Sequence, residues 1–70
     1  MDEKKLKRKI AENIRILRAK KRYSQDKLSE LSGISQKYIT KIENELVNPS
    51  ILVMMKIAEA FEVELNDLVY

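Results

Sequence analysis

The chain contains no cysteine, no histidine and no tryptophan, and only one glycine and one proline among its 70 residues. The lack of cysteine excludes disulfides and thiolate metal sites, so no metal site of that kind is expected. The lack of histidine excludes a histidine general base and histidine-ligated zinc. A chain this short also offers no deep cleft, so we expect no enzymatic activity, no cofactor and no small-molecule ligand.

Long apolar runs are missing as well. No apolar segment approaches the roughly 20 residues that a membrane helix requires. The first residues, MDEKKLKRK, are charged and are not followed by the apolar core of a signal peptide. We therefore expect one soluble domain over residues 1–70, located in the cytoplasm and free of the membrane.

Charge is distributed unevenly along the chain. Residues 1–41 carry 13 basic and 5 acidic residues, a balance of +8, whereas residues 42–70 have a balance of −5. Such an asymmetry orients a domain toward a polyanion. The charge pattern alone leaves DNA, RNA and an anionic membrane surface open, and a solvated basic helix would give the same pattern.

Apolar residues with helical spacing mark the first helix. They recur at intervals of four, four and three: Leu6, Ile10, Ile14 and Leu17. No segment alternates with the period of two that a half-buried strand would show. Because glycine and proline are scarce, the connections should be short. The sequence thus predicts a compact, all-α domain.

Capping residues divide the rest of the chain into four further helices. Ser24, Ser35 and Ser50 are predicted N-caps, and Gly33 is predicted to end the second helix in the left-handed conformation. The predicted bounds are Ser24 to Ser32, Gln36 to about Asn44, a fourth helix opened by Pro49 and Ser50, and a last turn over Leu65 to Val69. The residues predicted to face inward are Leu28, Leu31, Ile39, Ile42, Ile51, Met54, Ile57, Ala58 and Phe61.

The junction of the second and third helices, Gly33-Ile34-Ser35, favours a close helix crossing. The small side chain of Ser29 permits the crossing, and Ile39 and Ile42 would bury the back of the third helix. The front of that helix would then stay free. The N-terminus of a projecting helix fits a major groove, and its free N–H groups favour phosphate oxygens.

Residues from about 10 to 69 resemble the Cro/repressor-type, or XRE-family, helix-turn-helix domain, with the motif at about 24–44. The matching residues are Ser24-Gln25, Leu28, Gly33-Ile34-Ser35, Ile39, Ile42-Glu43, Pro49-Ser50, Leu65 and Leu68. The resemblance implies a five-helix, lambda-repressor-like bundle. It also implies a transcriptional regulator that binds double-stranded DNA sequence-specifically.

The resemblance implies roles for individual residues. Gln36, Lys37 and Lys41 match base-reading positions on the third helix, where a glutamine suits adenine and a lysine suits guanine. The positions that match DNA-backbone contacts are Gln25, Ser35, Tyr38 and Asn44. Alternatives stay open: Lys41 could touch phosphate, Tyr38 could pack against the second helix, and Ser35 and Asn44 could be caps.

Two further features depend on the resemblance. Arg18 and Glu43 match a partly buried ion pair that joins the first and third helices, although two surface charges are the alternative. The family usually has glycine where this chain has Arg22, Glu45 and Glu62. Asn44 is therefore expected to take the left-handed conformation at the exit of the third helix.

An apolar patch is the feature that points to self-association. Leu52 and Val53 stand where the family is commonly polar, and with Val63, Val69 and Tyr70 they could form a dimer surface. Packing under the first helix or the C-terminus is the alternative. A two-fold homodimer would place two recognition helices about 34 Å apart on a pseudopalindrome.

Two other functions compete with the DNA-binding regulator. A protein-interaction module could keep the fold with only non-specific DNA affinity, an interpretation favoured by Glu43 and Glu45 close to the third helix. A basic amphipathic membrane helix over residues 4–22 is disfavoured, because it lacks tryptophan and phenylalanine anchors and its apolar stripe is needed for the core.

Overall fold

The computed structural model describes residues 2–70. Its helices are α1 (Glu3–Lys21), α2 (Gln25–Ser32), α3 (Gln36–Glu43), α4 (Ile51–Phe61) and α5 (Asn66–Val69). No described residue lies in a strand, which confirms the predicted all-α fold of five helices. Among residues 2–70, no helix is long and apolar enough to cross a membrane.

Serine side chains begin three of the helices, as the sequence predicts. The hydroxyls of Ser24, Ser35 and Ser50 each accept a hydrogen bond from the backbone N–H three residues later, at 3.0 to 3.1 Å. Asp2 caps α1 in the same way, with its Oδ1 2.8 Å from the backbone nitrogen of Lys5. These caps satisfy N–H groups that have no partner within the helix.

Left-handed residues end or follow four of the helices. Gly33 has φ 76° at the end of α2, as predicted. Arg22, Glu45 and Glu62 have φ 59°, 61° and 61°. The expectation for Asn44 is wrong, because its φ is −95° and the left-handed residue is the next one, Glu45. The three positions where the family usually has glycine therefore keep the left-handed backbone while carrying side chains.

The core draws side chains from all five helices. The largest fully buried ones are Phe61, Ile10, Ile14, Leu28, Ile39, Ile42, Ile57 and Leu68. Tyr23, in the turn after α1, stacks on Phe61 with ring centroids 5.9 Å apart. The Asn13 side chain donates to the backbone oxygen of Leu68 at 2.8 Å and so ties α5 to α1.

Two residues predicted to face inward do not. Leu31 is 44% exposed, because Leu28 and Ser32 take the inward positions of α2. Ile51 is 63% exposed, since it opens α4 one turn before the buried stripe begins at Met54. The exposed start of α4 leaves apolar surface uncovered.

Candidate nucleic-acid interface

Helix α3 has one buried and one open face. Ile39, Ile42 and Glu43 are buried. The residues predicted to read bases are exposed on the other side: Gln36, Lys37 and Lys41. Within residues 2–70, none of these three side chains is engaged in a hydrogen bond or an ion pair, so their polar groups are available to an external partner.

Glu43 anchors the buried face of α3 to α1. Nε of Arg18 lies 2.8 Å from Oε2 of Glu43, and Nη2 lies 3.0 Å from Oε1, which makes the pair bidentate. The Glu43 side chain is 5% exposed and that of Arg18 is 23% exposed. Arg18 also donates to the backbone oxygen of Tyr23 at 3.1 Å, and Arg15 donates to the backbone oxygen of Glu43. Directional bonds therefore fix both the position and the rotation of the end of α3.

Gln25 is anchored in the same network. Its Nε2 donates to Oε1 of Glu43 at 3.2 Å, and its Oε1 accepts from the hydroxyl of Thr40 at 2.9 Å. An ionised carboxylate only accepts, so the amide nitrogen must face Glu43 and the amide oxygen must face Thr40. One N–H of the Gln25 amide is left for another acceptor. The hydroxyl of Thr40 thus orients a residue predicted to contact the DNA backbone.

Two serines brace the turn between α2 and α3. The hydroxyl of Ser29 donates to the backbone oxygen of Ile34 at 2.6 Å. The hydroxyl of Ser32 accepts from the backbone N–H of Ile34 at 3.1 Å. The sequence indicates a small residue at position 29 but not this hydrogen bond, which helps to hold α3 at a fixed angle to α2.

The other predicted backbone-contact residues occupy mixed environments. Ser35 is exposed and its hydroxyl caps α3. Asn44 is exposed and is the C-cap residue of α3, with its backbone N–H donating to the carbonyl of Thr40 at 3.0 Å. Tyr38 is half-buried and packs against the core. Of these three residues, Asn44 has an exposed side-chain amide that makes no hydrogen bond within residues 2–70.

Sequence comparison places the chain in a family. The family model for helix-turn-helix proteins matches residues 14–68. The chain belongs to the helix-turn-helix family. Two Bacillus subtilis proteins are similar to it: the HTH-type transcriptional regulator SlrR, and YgzD, an uncharacterized HTH-type transcriptional regulator.

The two relatives differ in how much of them this helix-turn-helix protein covers. The match to SlrR is 40% identical over 60 residues and covers 84% of this chain but 40% of SlrR. The match to YgzD is 37% identical over 54 residues and covers 77% of this chain and 82% of YgzD. The chain thus spans less than half the length of SlrR and most of that of YgzD.

Two solved structures share the fold of this helix-turn-helix protein. The restriction-modification controller protein C.AhdI from Aeromonas hydrophila superposes with a TM-score of 0.85 at 32% identity, covering 89% of this chain and 94% of its own. The hypothetical transcription factor NHTF from Neisseria superposes with a TM-score of 0.91 at 28% identity, covering 100% of this chain and 80% of its own. Both cover nearly all of the five-helix bundle.

The residues predicted to form a dimer surface are split by the fold of this helix-turn-helix protein. Leu52 and Tyr70 are 62% and 78% exposed. Val53, Val63 and Val69 are half-buried and pack against the core.

Other apolar residues extend the exposed surface around Leu52. Ile51 and Met55, 63% and 55% exposed, lie on the same face of α4 as Leu52. A groove of about 350 Å³ begins at Met55 and passes between α4 and the segment before α5. Its lining is Met55, Ala58, Glu59, Val63, Glu64 and Leu65. Apolar surface of this kind is a candidate for protein contacts.

Proposed function

We propose that this protein is a transcriptional regulator that binds double-stranded DNA sequence-specifically, with α3 in the major groove. The observation that carries the proposal is the division of α3. Glu43 and its neighbours hold one face in the bundle, while Gln36, Lys37 and Lys41 leave the other face polar and open. The similarity to proteins described as transcriptional regulators supports the same conclusion.

The three open side chains suit the edges of bases. The amide of Gln36 can donate to and accept from adenine at once, which discriminates adenine from the other bases in the major groove. Lys37 and Lys41 can donate to the O6 and N7 acceptors of guanine. Such contacts would supply the sequence preference.

Backbone contacts would fix the register of α3 without reading sequence. The remaining N–H of the Gln25 amide would donate to a phosphate oxygen. The other residues proposed to face the DNA backbone are Ser35, Tyr38 and Asn44. Of this set, Gln25 has its amide orientation fixed by two hydrogen bonds, so its contact would require the least ordering on binding.

The alternative of a protein-interaction module is weakened by the environment of Glu43. The proximity of Glu43 and Glu45 to α3 is the feature that favours that alternative. Glu43 is buried and paired with Arg18, so it presents no negative charge to DNA. Glu45 alone remains exposed at the end of α3.

Selection of bound duplexes from a randomised DNA pool at near-physiological salt tests the proposal. We expect enrichment of a two-fold-symmetric site whose half-sites lie about one helical turn, roughly 34 Å, apart. Absence of enrichment, with binding that only fades as salt rises, would contradict sequence-specific function and favour the interaction module.

Substitutions at Lys37, Lys41 and Gln25 distinguish recognition of bases from general electrostatic attraction to DNA. Lys37→Ala and Lys41→Ala should each relax the preference at particular base positions, by about 1–3 kcal/mol if they read bases. Gln25→Ala should weaken binding to all sequences alike. If all three variants lower affinity uniformly, α3 attracts DNA without reading it.

We propose in addition that the protein binds DNA as a homodimer through the exposed face of α4. Ile51, Leu52 and Met55 supply the apolar contacts, and Tyr70 could extend them. Leu52→Glu should shift the protein from dimer to monomer in sedimentation. Ile16→Glu is the matched control, because Ile16 is a 51% exposed apolar residue on α1. A monomeric wild-type mass at tens of micromolar would contradict a strong dimer.

A further inference from the structure

The first three turns of α1 precede the residues that the helix-turn-helix family model matches. Helix α1 begins at Glu3, whereas the helix-turn-helix match begins at residue 14. The charge of this leading segment is strongly positive, with five basic residues from Lys4 to Lys9. The family match therefore assigns no role to these residues, and their placement in the fold decides what they can contact.

Three basic residues of α1 share one side of the helix. At 100° per residue, Lys4, Arg8 and Arg15 fall within about 40° of one another. Ala11, which lies between this side and the core, is fully buried. Lys4, Arg8 and Arg15 together form a basic ridge.

The C-terminal end of the basic ridge lies at the recognition helix. The Arg15 guanidinium donates to the backbone oxygen of Glu43, the last residue of α3. Arg18, one turn further along α1, binds the Glu43 carboxylate. This side of α1 is thus turned toward the C-terminal end of α3.

The N-terminal end of the basic ridge lies beside the loop that follows α3. The side-chain amide of Asn48 donates to Oε1 of Glu3 at 2.9 Å. A shallow groove between the two segments is lined by Glu3, Lys4, Lys7 and Glu45. The ridge therefore follows the end of α3 and its exit loop over a rise of about 16 Å from Lys4 to Arg15.

Lys4 and Arg8 have no partner within residues 2–70. Both are exposed, and neither lies within 4.0 Å of a carboxylate oxygen. Glu3, the acid of the same turn, is engaged by Lys7 at 3.5 Å and by Asn48. Glu45 is the remaining acid of the groove. Two unpaired cations beside the exit of α3 suit an external polyanion.

We propose that Lys4 and Arg8 bind phosphates of DNA that flanks the base pairs read by α3. The inference rests on the proposed DNA-binding function and extends it. The ridge would add about two phosphate contacts on the side of the C-terminal end of α3, and its 16 Å rise corresponds to about five base-pair steps of 3.4 Å. These contacts would raise affinity for every sequence and would leave base preference unchanged.

The test compares two double variants of equal charge. Lys4→Gln/Arg8→Gln removes two charges from the ridge. Lys5→Gln/Lys9→Gln removes two charges from the same turns, on a side about 100° away. That side leads to Asn13, whose side chain contacts α5 rather than α3. Affinity for the selected duplex is measured against salt, and base preference by repeated selection.

The ridge variant should lower the slope of log affinity against log salt by about 1.8 for each half-site, and so by about 3.6 for a dimer on the two-fold-symmetric duplex. Its protected footprint should shorten on the flank of each half-site, with the same consensus sequence. The control variant should keep the wild-type footprint and most of the slope.

Equal loss of slope in both variants would show general attraction and would overturn the inference. So would a ridge variant that binds like wild type, or one that changes the consensus. These outcomes differ from failure of the proposed function, in which the wild-type protein itself enriches no duplex. Melting temperatures equal to wild type are expected for both variants, because all four side chains are largely exposed or lie at the helix surface.

Discussion

Helices α1–α3 and helices α4–α5 are held in the bundle by different interactions. Between α1, α2 and α3, side chains form a connected polar network centred on Glu43. Helices α4 and α5 are fixed mainly by apolar side chains such as Ile57, Phe61 and Leu68. Hydrogen bonds are directional, whereas the hydrophobic effect is not. The network is therefore where the orientation of α3 is set, whereas α4 and α5 close the core by packing against α1 and α2.

The two halves also differ in what they leave exposed. The α1–α3 half presents basic and amide groups, including the open face of α3 and the basic ridge. The α4–α5 half presents apolar residues at the start of α4, together with acidic residues such as Glu59 and Glu64. In the proposed homodimer, the first half would contact DNA and the second half would contact the other copy of the protein.

Arg18→Ala should give the largest loss of stability. It would leave the buried Glu43 carboxylate without its cation, and breaking a buried pair in this way costs about 3–5 kcal/mol. Lys20→Ala removes the same charge from an exposed position of α1 and should change little. Thermal unfolding measures both. Equal melting temperatures for the two variants would show that the Arg18–Glu43 pair stabilises the α1–α3 half no more than the exposed charge of Lys20 does.

Gly33→Ala should give the next largest effect. Gly33 has φ 76°, and a Cβ there would meet no atom within 4 Å, so the cost is backbone strain alone. We expect a loss of about 1–2 kcal/mol in the free energy of unfolding. Gly33→Asn should lose less, because asparagine tolerates the left-handed region. If the two variants lose the same free energy of unfolding, the cost does not arise from the left-handed backbone conformation at position 33.

Thr40→Val tests the network without removing a charge. It keeps the shape of the side chain but removes the donor that orients the Gln25 amide, a bond worth about 0.5–1.5 kcal/mol. We expect modest destabilisation and weaker binding to all DNA sequences alike. Thr40→Ser keeps the hydroxyl and should restore binding. If the valine and serine variants bind equally well, Thr40 does not position Gln25.

Much of the fold could be predicted because local signals agree with one another. Three serine caps, one glycine stop and a regular apolar spacing determine the helix order and most helix bounds. The prediction that Ile51 faces inward is wrong. Apolar periodicity shows which face of α4 points to the core, but it does not show how far along α4 the neighbouring helices extend. Intrinsic preference favours Asn44 over Glu45 for the left-handed position, and the geometry of the exit loop overrides that preference.

The site could be predicted less completely than the fold. The resemblance singles out Gln25 and Glu43, but the hydroxyl of Thr40 and the guanidinium of Arg15 join them only through the three-dimensional arrangement. Sequence spacing relates residues of one helix, whereas these contacts join helices across 15 and 28 residues. The charge of the first α1 turns is visible in the sequence, and its relation to α3 is not.

Glu62→Gly should give the smallest effect, and in the opposite direction. Glu62 ends α4 at φ 61°, as Gly33 ends α2, but it carries a side chain that the left-handed region disfavours. Glycine relieves strain of about 1–2 kcal/mol and loses part of that gain to its greater freedom in the unfolded chain, so a net stabilisation of about 0.5 kcal/mol is expected. Glu62→Ala removes the same carboxylate, with its 3.9 Å contact to Lys21, but keeps the Cβ. A rise in melting temperature for the glycine variant alone would show that the left-handed backbone at Glu62 is strained. Apolar packing of the α4–α5 half would then be what maintains this strained helix end. Equal rises for both variants would instead attribute the gain to lost negative charge.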